Sequence, residues 1–430
     1  MRIVWLAAAD ARGHLMRAHL ARRLLARVGV RVTLVTTSEE GRAFLAALGA
    51  PSEVLSCHYS VAFDARQNMA RAATEACVLR YMVTPSRGPR DLARLSALCR
   101  GASYVVNDFH PLLLLAGARG HGGAHALPCP VVHVHGENLW RAIEGNFHGR
   151  CPAVADRGFG ALVRALRDRA HGRIEHTFDA PFAGSRDPSR RSYRLLPIIA
   201  APGRSAAEVR AELGVGAGRR LAAVYLNPHF ADPALATALS RALAAEGYAV
   251  HGVAEGLAGY PGFRPYDARF ADVAAAADLL VSAPGMGAVG MARLFGVPFL
   301  ALLTDQPEQR ENVRFLAAPS GGARTSAASS RTSPGLASPV SPASSSATFA
   351  TVDLAAPGGL ERRLREAAAE LAARGGRALD RPSPAAVVSA IHGVWTDVLT
   401  GLAPAAAPAG RARFSSHLAS NKAAPKEVHP

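Results

Sequence analysis

The stretch ADLLVSAPGMGAVGMARLFGVPFLALLTDQPEQRENVRF, Ala277–Phe315, decides the fold class. Asp278–Ser282 and Pro298–Leu303 are short apolar runs of strand length. Between them Ala288–Phe295 carries helical spacing, opened by the turn Gly285-Met286-Gly287 and closed by Gly296-Val297-Pro298. Two strands joined by a crossover helix must lie parallel in one sheet, and glycine and proline mark where each element stops. The stretch therefore predicts one unit of a doubly wound α/β sheet, followed by a polar loop and a further helix.

The same alternation continues on both sides. Towards the N-terminus the reading predicts strand Leu221–Leu226, helix Pro233–Glu246, strand Ala249–Ala254 and helix Ala268–Ala277. Residues 202–218 look like a boundary, where Ser205 can cap a short helix that ends at Gly214. Before it lies a second series. Ile3–Ala9 reads as a strand, Leu15–Val28 as a helix with Leu20, Leu24, Leu25 and Val28 on one side, and Val30–Val35 as a strand. Ser103–Val106 reads as a strand ending in Asn107-Asp108, Pro111–Arg119 as a helix, and Pro130–His135 as a strand ending in Gly136-Glu137-Asn138. Two doubly wound, Rossmann-like domains follow: 1–200, a linker at 201–218, and 219–402. Residues 318–347 are rich in Ser, Ala, Pro, Gly and Thr, and read as a disordered insertion in the second domain. Helices are expected near 359–374 and 384–399, then a disordered tail over 403–430.

Composition narrows the class. A chain of 430 residues, 49% hydrophobic and 19% charged, suits two globular domains. No apolar run approaches the roughly 18 residues of a spanning helix. Ile3–Ala9 imitates the apolar core of a signal peptide. Asp10, Arg12 and His14 follow at once, however, with no small-residue cleavage region, so it reads as a buried strand. The net charge is +16, nearly all of it arginine, since the only lysines are Lys422 and Lys426. The arginines are scattered over helix faces, as at Arg17, Arg22, Arg23 and Arg27, without interleaved aromatics. Such faces read as solvated, attractive to anionic substrates or peripherally to an anionic membrane surface, and nucleic acid is not an expected partner. The five cysteines are odd in number and form no C-x-x-C pair, which disfavours a metal cage or a disulfide framework and points to a reducing, cytoplasmic setting.

In an open α/β sheet the ligand lies at the carboxyl ends of the strands. Gly285, Met286, Gly287 and Ala288 occupy such an end at a helix N-terminus, where free N–H groups and the helix dipole suit a diphosphate. Asp305 and Gln306 end the next strand and can accept from and donate to sugar hydroxyls, with Gln309 and Asn312 on the helix beyond. In the first half Gly13-His14 opens the first helix, and Asp108 ends a later strand. Asn227, in Asn-Pro-His, ends the first strand of the second half and faces the same cleft. His133 and His135 share one face of a strand near Glu137, but no third ligand is evident. The sequence also lacks an Asp-x-Asp metal motif, so an acceptor-pocket or structural role is expected there and no metal.

Over about 40 residues this pattern resembles the donor-binding region of the GT-B glycosyltransferases, notably the UDP-glycosyltransferase superfamily and the relatives of the lipid-II-forming GlcNAc transferase. The matching residues are Gly285, Gly287, Gly296-Val297-Pro298, Asp305-Gln306-Pro307, Gln309 and Asn312. The resemblance implies two facing domains and a UDP-sugar donor used as substrate, with no cofactor. It assigns the diphosphate to Gly287 and Ala288 and the donor sugar to Asp305 and Gln306. It places Arg264, in a loop before a helix, beside the base. It also implies that His14 deprotonates an acceptor hydroxyl, oriented by Asp108. Many such enzymes carry a ribose-binding Glu about six residues after the first glycine, where this chain has Met291. Ribose recognition then differs, the donor differs, or catalysis is weakened. The acceptor is not encoded in any recognisable pattern; its specificity is expected in loops over 57–90 and 136–182. A non-catalytic relative that binds a nucleotide sugar or a partner protein is the main rival. A UDP-sugar epimerase would need acidic residues that the turn before Ala288 lacks.

Overall fold

The structure, a computed structural model, describes residues 1–56, 61–110, 113, 127–144, 152–181, 184–187, 189, 191–317, 348–374 and 383–403. Two mainly parallel sheets organise it. The first has eight strands in the order β3-β2-β1-β4-β5-β6-β8-β7. These are β1 (Arg2–Ala7), β2 (Arg31–Thr36), β3 (Ser52–Val54), β4 (Tyr104–Asp108), β5 (Val131–Gly136), β6 (Gly172–His176), β7 (Ser185–Asp187) and β8 (Ser192–Leu195), of which only β7 pairs antiparallel. The second has six, in the order β11-β10-β9-β12-β13-β14. They are β9 (Arg220–Tyr225), β10 (Tyr248–Val253), β11 (Phe263–Arg264), β12 (Leu279–Ser282), β13 (Phe299–Leu303) and β14 (Phe349–Asp353).

Central parallel strands are covered on both faces, so they are apolar throughout rather than alternating. β1, RIVWLA, is buried from Ile3 to Ala7. One face of the first sheet packs on helix α1 (Arg12–Arg27) through Leu15, Ala18 and Leu25, and the other on Leu92, Leu95 and Cys99 of a helix over Arg87–Cys99. Val28, placed by its spacing on the inner side of α1, is instead the 53% exposed C-cap. Gly29, at φ 74°, then reverses the chain into β2.

Two segments expected to be loops contain regular structure. The 57–90 segment holds helix Arg71–Val83, and the 136–182 segment holds helices Glu137–Glu144 and Ala153–Asp168 together with β6. β14 also had no sequence assignment. It is one short strand whose Ala350 and Val352 alternate inward, and it pairs with β13 from the far side of the insertion. Most of helix Pro111–Arg119, the insertion 318–347 and the tail past 403 lie outside the described residues.

The boundary helix Ala206–Glu212 begins with a capping box, in which the Ser205 hydroxyl and the Glu208 carboxylate satisfy one another's backbone N–H groups. The final helix, Pro384–Gly401, falls within the span read as the second domain, but its Ile391, Trp395 and Leu399 pack in the core of the first sheet. Tyr104 donates to Leu399 O, and Trp395 Nε1 donates to Leu196 O. Among the described residues no helix is long and apolar enough to cross a membrane.

Both sheets reverse strand order beside their first strand. β1 lies between β2 and β4, and β9 lies between β10 and β12. At such a switch the following loops diverge and open a crevice.

Candidate functional site

At the first switch point the β1–α1 turn carries His14 and the end of β4 carries Asp108. Parallel pairing sets Ala7 beside Asp108, so the turn after β1 rises over the Asp108 side chain. His14 Nδ1 lies 2.6 Å from Asp108 Oδ1. Arg17, one helical turn on, donates through Nε to Oδ2 at 2.8 Å and through Nη2 to Oδ1 at 2.5 Å, and Trp5 Nε1 donates to Oδ2 at 3.3 Å. Burial opposes a charge on Asp108, yet the Arg17 and His14 charges outweigh it and hold the carboxyl far below the usual range. Arg17 Nη2 also lies 2.9 Å from His14 Nδ1, but a ring nitrogen that donates to Asp108 cannot accept from Arg17. The shorter Asp108 contact is taken as the hydrogen bond. The ring then presents Nε2 to the cleft.

Phe109 holds this ring from one side. Its backbone is left-handed at φ 70°, and its ring stacks on His14 with centroids 5.6 Å apart and planes 7° from parallel. The turn is pinned by Asn107, whose side chain accepts from His110 N at 2.7 Å and donates to His110 O at 3.1 Å. A left-handed bulky residue is strained, and such strain persists where the surroundings over-determine it.

Arg17 corrects the expectation of a solvated arginine face. It is 8% exposed, and its Nη1 reaches His176 Nε2 at 2.5 Å. Periodicity along α1 shows only that the position alternates with apolar neighbours. The buried carboxylate that draws Arg17 inward is 91 residues away in the chain. His176 and His135 are buried at the carboxyl ends of β6 and β5, and His133 is buried in the middle of β5. Burial, then neighbouring charges, pushes His133 down to about 4 and the other two well below their usual value, so they are neutral. Glu137 is held by Thr177, Arg141 and Arg194. Among the described residues no group of His, Cys, Asp and Glu is arranged to hold a metal ion.

At the second switch point helix α10 (Met286–Phe295) begins at Gly285, which is extended and has no side-chain cap. Among the described residues no side chain accepts from the first N–H groups, those of Met286, Gly287 and Ala288. A Cβ added at Gly285 or Gly287 would meet nothing within 4 Å, so the turn borders open space. Gly13, across the cleft, is equally unobstructed. Met286 reaches over to the first domain, where its Cγ and the His176 ring both pack within 3.4 Å of the position a Cβ on Gly136 would take. Gly296 closes the helix at φ 66°.

The residues after β13 divide. Asp305 and Gln306 reach the first domain: Asp305 Oδ1 accepts from Met69 N at 2.7 Å, and Gln306 Nε2 donates to Gln67 O at 3.0 Å. Gln309 binds its own loop. It is 4% exposed, and its carbonyl oxygen accepts from Thr304 N and Thr304 Oγ1, closing the loop that precedes its own helix. Asn312 is fully buried as a strut. Its Nδ2 donates to Pro284 O, just before the glycine turn, and its Oδ1 accepts from Asn138 Nδ2, each at 2.7 Å. Asn227 is half-buried after β9. Arg264 lies on the edge strand β11 rather than in a loop, and it is exposed. Met291 is partly buried and packs against the second-sheet core.

Two residues escaped the sequence reading. Asn138 was visible only as part of a strand ending. Glu308 follows Pro307 at the start of helix Pro307–Ala317, a common place for a carboxylate. Burial raises its carboxyl, against the lowering influence of His14 and Arg17 across the cleft.

No family model matches the chain, and no curated protein matches it in sequence. Solved structures do. The glycosyltransferase of kitacinnamycin is 18% identical, covering 94% of this chain and 99% of its own, with a TM-score of 0.50. Spinosyn forosaminyltransferase is 13% identical, with 94% and 98% covered and a TM-score of 0.50. The calicheamicin glycosyltransferase CalG4 is 18% identical, with 93% and 94% covered and the same TM-score. At these identities the likeness is one of architecture, and it agrees with the two facing sheets, their switch points and the glycine-rich turn: the chain has the GT-B fold of these glycosyltransferases.

Proposed function

We propose that the protein is a glycosyltransferase that moves a hexosyl group from a nucleoside diphosphate sugar, a UDP-sugar, to an acceptor hydroxyl. The observation that carries this reading is the pairing of two half-sites at two switch points. One is a histidine oriented by a buried carboxylate, and the other is an uncapped, open helix N-terminus. Asp108 fixes the tautomer of His14 and stabilises its protonated form, leaving Nε2 to take the acceptor proton. As the acceptor oxygen bonds to the sugar carbon, the bond from that carbon to the diphosphate breaks. The leaving electron pair then rests on phosphate oxygens beside the α10 N-terminus, where fixed dipoles face the developing charge. Asp305 and Gln306 orient the sugar. The scheme draws on no cofactor, and the UDP-sugar is a substrate.

A non-catalytic relative is the second reading, favoured by Met291, whose apolar side chain packs towards the core where a ribose-binding carboxylate is expected. Isothermal titration with UDP, dTDP and their glucose conjugates, followed by donor hydrolysis for wild type and His14→Ala, separates the two. The transferase reading expects binding at about micromolar strength and slow hydrolysis lost in the variant. Binding without hydrolysis in either protein supports the second reading. No binding of any nucleotide overturns both.

A further inference from the structure

The segment 61–70 leaves the first sheet and lies on the second. The Phe63 ring stacks on His229 with centroids 4.3 Å apart, and Arg66 Nε meets Asp232 Oδ2 at 2.6 Å. At its centre Met69 N and Gln67 O engage Asp305 and Gln306, while Asp305 N in turn donates to Asn68 Oδ1 at 3.3 Å. The segment touches these two residues through one atom each of their side chains. Among the described residues Asp305 Oδ2 and Gln306 Oε1 make no hydrogen bond to the protein.

Gln67 is the anomaly in this segment. Its backbone is left-handed at φ 63°, its residue is 3% exposed, and its side-chain Oε1 is enclosed with no hydrogen-bond partner among the described residues. A buried orphan acceptor is costly, and left-handed non-glycine backbone is costly too. Either alone has structural explanations. Together, beside the two residues that would orient the donor sugar, they mark an acceptor held ready for a donor group that arrives with a ligand.

We propose that Gln67, from the first domain, is a specificity-determining residue of the donor-sugar subsite, accepting a hydrogen bond from a hydroxyl or ammonium group of the sugar. This rests on the nucleotide-sugar reading above. The sugar subsite is then built from both domains, with Asp305 and Gln306 of the second and the 67–69 segment of the first joined by direct hydrogen bonds along one side of it.

The test compares the affinity of each sugar nucleotide with that of its bare nucleotide, for wild type, Gln67→Leu and Gln67→Glu. The panel is UDP, dTDP and their glucose and N-acetylglucosamine conjugates. In wild type the sugar should strengthen binding for at least one conjugate. Gln67→Leu should reduce that increment about tenfold while leaving bare nucleotide affinity unchanged, and Gln67→Glu, which keeps an acceptor oxygen, should recover part of it. Intact nucleotide binding also certifies that the variants fold. A sugar increment that is absent in wild type, or equal in wild type and Gln67→Leu, overturns the proposal. Failure of bare nucleotides to bind wild type overturns the function on which it rests.

Discussion

Asp108 is fully buried and accepts from four donors supplied by His14, Arg17 and Trp5, as many as a carboxylate can take. Its charge is tolerable only while Arg17 is opposite, and Arg17 is nearly as enclosed. His14 and Asp108 therefore have separable roles. His14→Ala should cut transfer by about a hundred- to ten-thousand-fold, with nucleoside diphosphate affinity and folding stability little changed. Asp108→Ala should also cut transfer, but it leaves the Arg17 guanidinium buried without its counter-charge and should cost about 3–5 kcal/mol of stability by urea unfolding. Equal stability losses in the two variants would refute this division. His14 and Asp108 were singled out through the resemblance, as a glycine-histidine turn opening the first helix and an aspartate ending a later strand. Arg17 was not, because its partner is distant in the chain and helical spacing carries no information about such a pairing.

Among the elements, the β12–α10 turn separates what folding requires from what binding requires. Gly285 and Gly287 have negative φ and open space where a side chain would stand, so the fold itself does not demand glycine there. Gly287→Val should change stability by less than about 1 kcal/mol and weaken nucleotide binding about tenfold or more, because its methyl groups would occupy the approach to the helix N-terminus. Gly252 in β10 is the opposite case. A Cβ there would lie 2.4 Å from the Phe263 ring, so Gly252→Ala should lose about 1–3 kcal/mol without a selective effect on nucleotide. Thermal unfolding and titration of the two variants check both statements. A stability loss in Gly287→Val as large as that in Gly252→Ala would assign the turn a packing role instead.

For the whole molecule, the last helix ties the end of the chain back to the first sheet. Trp395 is fully buried in the core of β1, β4 and α1, and Trp395→Ala should destabilise the protein by about 3–5 kcal/mol. The loss should appear in the unfolding of the first domain. Confinement of the loss to the second would contradict the observed packing. Acid should act globally as well. Burial, followed by neighbouring arginines, lowers His133 and His19 to about 4, and burial holds His135 and His176 well below their usual value. Their unfolded values lie near 6.5. As pH falls from about 6.5 towards 4 the unfolded chain gains protons that the folded chain refuses, so stability declines through that window. Asp10, raised by burial to about 6, works the other way between about 6 and 4, as do Glu175 and Glu308, both raised by burial, while His229 and His392, also lowered by burial, add to the histidine side. Calorimetry should show a lower Tm at pH 5 than at pH 7; an unchanged or higher Tm would contradict neutral buried histidines.

The sequence by itself determined the two series of βα units, the glycine-rich turn, the first-helix turn that carries His14 and the strand ends that carry or precede Asp108, Asp305 and Gln306. All are local: apolar runs of strand length, helical spacing and glycine or proline punctuation act within about fifteen residues. Only the tertiary structure decided which polar groups meet across the cleft. It turned Gln309 inward to close its own loop, made Asn312 a strut to Asn138, buried Arg17 against Asp108, and laid Gln67 against Gln306. The physical reason is that a buried polar group must find a partner, and in a doubly wound fold that partner is supplied by strand order and domain approach rather than by neighbours in the chain.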